Sequence, residues 1–169
     1  MNKDTKRVEA ILAEVKPLAA EYYRLTNKPL DVTGEVAEYV AAQKLGLTLA
    51  PPRTSGYDAM RKTPQGDERI QIKGRAFGEN SKPSQRLGSI KPGPACDTVL
   101  LVILDNATLE PTGMWEAPYP QVVAKLAEPD STARNVRGSL SIGAFKRVAR
   151  PVWPANQRNE PGRMTNRIK

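Results

Sequence analysis

Apolar residues recur at steps of three and four near the start of the chain: Val8, Ile11, Leu12, Val15, Leu18, Ala19 and Tyr22. That period predicts an amphipathic helix over residues 3–25 with one apolar stripe. Pro17 lies inside it and is expected to kink or split it. Asn27-Lys28-Pro29 ends it. A second helix is predicted over 34–45, with Val36, Ala37, Val40, Ala41 and Leu45 on one face, Thr33 as N-cap and Gly46 at the C-terminal cap. Leu47 to Ala50 reads as a short strand before the Pro51-Pro52 break. Residues 56–61 and 68–75 read as strands joined by a turn at Pro64-Gln65-Gly66-Asp67.

Residues 76–95 are rich in Gly, Ser, Pro, Lys and Arg and read as a long loop. Thr98 to Leu104 is a continuous apolar run, as in a strand buried on both faces. Residues 112–117 predict the next strand, Tyr119–Ala127 a helix with Pro120 in its first turn, and 142–148 a short helix capped by Ser141. From Pro151 onward the chain is Pro-, Asn- and Arg-rich and reads as a poorly ordered tail. The order of elements predicts an α/β domain with a mixed sheet flanked by helices. The organisation expected is an N-terminal helical segment (1–30), a main domain (31–150) and a basic flexible tail (151–169).

The chain has 169 residues, 26 of them Lys or Arg and 18 Asp or Glu, for a net charge of +8. Residues 1–50 hold seven basic and seven acidic residues, so the whole excess lies beyond them. A localised excess suits a phosphate-bearing partner. There is no histidine, and Cys96 is the single cysteine. Cys/His zinc sites, Ser-His-Asp and Cys-His catalysis and an intrachain disulfide are thereby excluded. Any metal must sit on oxygen ligands, which favours Mg²⁺, Mn²⁺ or Ca²⁺. Cys96 reads as a small buried residue. No apolar run reaches membrane-spanning length and no signal-peptide pattern follows Met1, so a cytoplasmic protein is expected.

One stretch concentrates chemistry. Gly56-Tyr57-Asp58 precedes Ile70-Gln71-Ile72-Lys73, and alternation places Gln71 and Lys73 on one strand face with Ile70 and Ile72 on the other. A hairpin brings Asp58 alongside. A hard cation on Asp58, the Gln71 side-chain oxygen and the Ile72 carbonyl, beside one lysine, points to phosphodiester hydrolysis. Lys73 would orient or deprotonate the attacking water, or balance charge on the transition state. Glu35 and Glu38, one turn apart on the second helix, offer further carboxylates.

Gly34 to Glu38 as Gly-x-x-x-Glu, Gly56-Tyr57-Asp58 and Gln71-x-Lys73 together resemble the PD-(D/E)XK nuclease superfamily, which includes restriction endonucleases and archaeal Holliday-junction resolvases. The resemblance covers about residues 34–104. It implies a four- or five-stranded mixed sheet flanked by helices, with Asp58 binding metal, Lys73 catalytic, and Glu38 contacting the metal or its water. Two positions depart from the pattern. Tyr57 stands where proline is usual, and Gln71 where an acid is usual, as in the Mrr-like restriction branch. The expected activity is Mg²⁺- or Mn²⁺-dependent cleavage of double-stranded DNA; the alternative is a catalytically silent module that binds nucleic acid or a partner. Arg75, Lys82, Arg86 and Lys91, with Ser81, Ser84 and Ser89, are candidate phosphate contacts. The basic run Lys146, Arg147, Arg150, Arg158, Arg163, Arg167 and Lys169 faces only Glu160 in sequence. Trp115 and Trp153 read as core. A homodimer fits either reading.

Overall fold

The computed structural model describes residues 3–26, 30–78, 81, 84–90, 96–128 and 138–154. In chain order these form α1 (Lys3–Thr26), α2 (Thr33–Leu45), β1 (Thr48–Leu49), β2 (Ala59–Thr63), β3 (Gly66–Phe77), β4 (Thr98–Asp105), β5 (Pro111–Pro118), α3 (Tyr119–Ala127), α4 (Ile142–Lys146) and β6 (Arg150–Trp153). The strands make one six-stranded mixed sheet in the order β1-β2-β3-β4-β5-β6. Only β3 and β4 run parallel; every other neighbouring pair is antiparallel. Helices flank the sheet, giving an α/β domain. The sheet exceeds the four or five strands implied by the resemblance.

Each face has its own core. On one, Val36, Ala37, Val40 and Ala41 of α2 pack against Ile70, Ile72, Leu100, Val102 and Leu104. On the other, Val99, Leu101 and Ile103 meet Val122 of α3, Phe145 of α4, and Leu87 and Ile90. The apolar run from Thr98 to Leu104 is buried throughout, because successive side chains enter opposite cores. Helix α2 lies unusually close to β3. A β-carbon built on Gly74 would stand 2.4 Å from Ala37 Cβ and 2.8 Å from the Thr33 carbonyl oxygen, so only glycine permits this approach.

Several expectations are corrected. Helix α1 passes through Pro17 as a single element, with that proline on an exposed position. Val32, not Thr33, is the N-cap of α2, and no side chain caps it, whereas Gly46 takes the left-handed conformation (φ 65°) at the other end. Ser141 does cap α4, accepting a bond from the Ala144 N–H at 3.1 Å, and α4 ends earlier than expected, at Lys146. Strand β2 begins at Ala59 rather than 56, while β3 extends on both sides of 68–75.

The expected tail begins with a strand: Arg150–Trp153 pairs with β5. Pro151 is tolerated because β6 is an edge strand, to which proline in a sheet is largely confined. The expected loop also contributes to the core. Leu87 and Ile90 are fully buried, and their N–H groups donate to the Leu140 and Gly138 carbonyls. Trp115 and Trp153 pack against the cores as expected. Lys146 stands over the Trp115 ring at 3.5 Å, and Arg150 joins Glu116, so these two residues are not part of a free basic arm. Arg158, Arg163, Arg167 and Lys169 lie outside the described residues.

Candidate active site

Asp58 is held by three hydrogen bonds immediately before β2. Its N–H donates to the Ile70 carbonyl at 2.9 Å, and its carbonyl accepts from Ala50 N–H at 2.9 Å. Its Oδ2 accepts from the Ile72 N–H at 2.7 Å. The carboxylate thus adds one rung to the β2–β3 ladder, whose last residue pair is Ala59 with Ile70. Its other oxygen, Oδ1, has no hydrogen-bond donor among the described residues. The Ile72 carbonyl shares the strand edge with its own N–H, facing the gap that opens where β2 ends.

Gln71 and Lys73 pair with Val99 and Leu101 of β4 and therefore face the second core, away from α2. Both are half-buried. The Gln71 Oε1 is buried without a hydrogen-bond partner, which is costly unless a donor or a cation reaches it. Burial lowers the pKa of Lys73; Asp58 pulls it back up and Arg75 lowers it further. Burial raises that of the Cys96 thiol, with Asp97 adding to the effect; Asp58 and Lys73 also act on it. Cys96 is buried as expected, and its place beside these two residues was not legible in the sequence.

Glu38 reaches the group from α2. Its carboxyl is pushed up to about 6 by burial, then by Asp58 and Glu35, with Lys73 opposing. Glu35 itself is exposed. Glu38, Asp58 and Lys73 therefore share one electrostatic environment although they come from opposite sides of the sheet. Their charges act on one another beside β3, where its pairing with β2 ends at Ala59 and Ile70.

Among the described residues, no three His, Cys, Asp or Glu side chains group so as to hold a metal ion. A cation here would rest on two carboxylates, Asp58 and Glu38, with neutral oxygens from Gln71 and Ile72. The unpartnered Gln71 Oε1 and the open Asp58 Oδ1 make this hard-oxygen set fit Mg²⁺ or Mn²⁺. The exposed Glu35 adds negative charge beside Glu38.

The expected phosphate contacts are differently disposed. The Arg75 guanidinium donates to the Arg86 and Gly74 carbonyls, and burial lowers its pKa. Arg86 binds the Ser139 hydroxyl at 3.3 Å and the Ser139 carbonyl. Both therefore tie the 84–90 segment to the sheet and to residue 139. Lys82 and Lys91 lie outside the described residues. A cavity of about 570 Å³ lies further along β3, lined by Gly74, Arg75, Ser81, Gln85 and Arg86 among others, and includes none of Glu38, Asp58, Gln71 or Lys73.

The sequence reading also missed an ionic cluster around buried Glu116 that links β2, β3, β5 and β6. Glu116 receives Arg61 at 2.7 Å and Arg150 on its other oxygen, and Arg61 also meets Glu68 at 3.1 Å. Burial raises the Glu116 pKa, but the two arginines hold it below the usual carboxylate value. Neither a protein-family model nor a curated protein matches this chain. No helix among the described residues is long and apolar enough to cross a membrane.

Proposed function

We propose that this chain is a restriction-endonuclease-like, divalent-metal-dependent nuclease that hydrolyses phosphodiester bonds of double-stranded DNA. The observation that carries this reading is the Asp58 carboxylate held on the Ile72 N–H between Gln71, whose Oε1 is unpartnered, and half-buried Lys73 on the same strand. Asp58, Glu38, the Gln71 Oε1 and the Ile72 carbonyl would hold Mg²⁺ or Mn²⁺. When bound, the ion polarises a phosphoryl oxygen and acidifies water.

The chain's own residues supply the rest. The Ile72 N–H fixes the Asp58 carboxylate in orientation, so little reorganisation is needed on binding. Partial burial brings Lys73 nearer to the neutral form that can take a proton from water. Protonated, the same ammonium balances charge on the phosphoryl oxygens. The basic excess beyond residue 50 favours a polyanionic substrate.

Neutral Gln71 in place of an acid favours a second reading, a silent module that binds DNA without cutting it. Plasmid and linear DNA incubated with the protein and Mg²⁺ or Mn²⁺ separate the two. Cleavage that is lost in Asp58→Ala and Lys73→Ala supports the nuclease. Salt-dependent binding without any cleavage supports the silent module. Cleavage that survives both substitutions defeats the site assignment.

A further inference from the structure

Helix α1 carries an apolar seam of which its own domain half-covers Val15 and leaves the rest exposed. Its inner side is anchored by Leu12 and Ala19, which pack on the first core, and by polar links such as Lys16 to Glu110 at 2.7 Å. Beside that side runs a second row: Val8, Ile11, Val15, Leu18, Tyr22 and Leu25. Their spacing is three, four, three, four, three, the a/d repeat of a coiled coil. Val8 is 42% exposed, Ile11 41%, Leu18 61%, Tyr22 40% and Leu25 74%. Large apolar side chains aligned and exposed in this way mark an interaction surface.

We propose that this seam pairs with the same seam of a second copy of the chain, forming a two-stranded homodimer. Valine at the first two a positions, with Ile11, Leu18 and Leu25 at d, is close to the combination that favours two strands in parallel coils. The seam from Val8 to Leu25 is about 27 Å long at ~1.5 Å per residue. Paired over the width of a helix, it buries roughly 1,000 Å² in total, the lower bound for a specific interface. The dimer is therefore weak, dissociating in the micromolar range.

Other occupants fit less well. The residues outside the described set carry only scattered large apolar side chains (Met1, Val136, Met164 and Ile168), so none of those stretches offers a matching row. A membrane-surface helix is rich in Lys and Arg on its polar face, whereas α1 has five basic and four acidic residues. The g positions Arg7, Glu14 and Glu21 meet no charged e residue, because e is Leu12, Ala19 and Thr26. Pairing thus depends on apolar contact and is insensitive to salt. This inference is independent of the hydrolase reading.

Sedimentation velocity of the full chain, from roughly 1 to roughly 200 micromolar, tests it directly. The wild-type mass should rise from 18.5 kDa toward twice that value with concentration. Leu18→Glu with Leu25→Glu should weaken association at least ~100-fold, with unchanged circular dichroism, because both side chains are exposed in the monomer. Lys6→Glu, off the seam, should leave association unchanged. Should the double glutamate variant unfold, Leu18→Ala with Leu25→Ala provides the milder test, with at least ~10-fold weakening expected. A wild-type chain that stays monomeric throughout overturns the proposal. So does a folded double variant that associates like wild type, or binding of monomers to anionic phospholipid vesicles through the seam.

Discussion

Substituting Asp58 separates its structural role from its chemical one. The Oδ2 to Ile72 N–H bond closes the β2–β3 ladder at 2.7 Å. Alanine leaves that half-buried N–H without its acceptor, at a cost of about 1–3 kcal/mol. Asparagine keeps an acceptor oxygen but replaces a charge-assisted bond by a neutral one, a loss of about 1 kcal/mol. Glu38 is then relieved of the Asp58 charge while Lys73 loses its attraction to it, and these two effects oppose. Asp58→Asn should therefore melt within about 2–4 °C of wild type, and Asp58→Ala about twice as far below. Both should abolish cleavage and the rise in melting temperature on adding Mn²⁺. Thermal and urea unfolding of the three proteins, each with and without Mn²⁺, measure all of this. If asparagine costs as much as alanine, the Ile72 bond is not what Asp58 contributes. If Mn²⁺ stabilises Asp58→Asn as strongly as wild type, the carboxylate is not a ligand.

Three further outcomes follow from the same geometry. Glu38 holds its proton to about pH 6 when folded, against an ordinary glutamate value of 4.5. The folded state binds more protons between those values, so without divalent metal, stability falls as pH rises through that window and then levels off. Glu38→Gln should flatten that slope in urea titrations and be at least as stable as wild type at neutral pH; an unchanged slope would falsify the assignment. Glu116→Ala should cost about 2–3 kcal/mol by urea unfolding, below the usual ~3–5 for a broken buried pair, because Arg61 keeps Glu68 and Arg150 is largely exposed. Gly74→Ala forces a β-carbon to 2.4 Å from Ala37 Cβ; about 1–3 kcal/mol should be lost, and a wild-type melting temperature would refute the close α2–β3 approach.

Much of the architecture was legible because it is local. Ile70 and Ile72 against Gln71 and Lys73 follow from strand alternation alone, and the faces assigned to them are those observed. The period of α2, its glycine cap and the apolar run of β4 were equally direct. The misses are long-range. Pro151 looks like a strand breaker until β6 is known to be an edge. Leu87 and Ile90 sit among loop-like residues, and only the backbone bonds to Gly138 and Leu140 make them core. The two isolated apolar residues, three apart, were the one signal that could have revealed them. Nothing near Glu116 in sequence announces Arg61.

The sequence by itself determined which residues could do chemistry. Lacking histidine and a second cysteine, the chain leaves oxygen ligands and lysine, and the alternation near Lys73 sorts them by face. Tertiary structure decided which of them meet. Glu38 acts on Asp58 and Lys73 from the α2 side of the sheet, beside the stretch of β3 left open because β2 begins only at Ala59. It also turned Arg75 and Arg86 onto backbone carbonyls. Side-chain period is a local property of a strand or helix. The point at which a neighbouring strand ends depends on hydrogen-bond register between distant segments, and no local pattern records it.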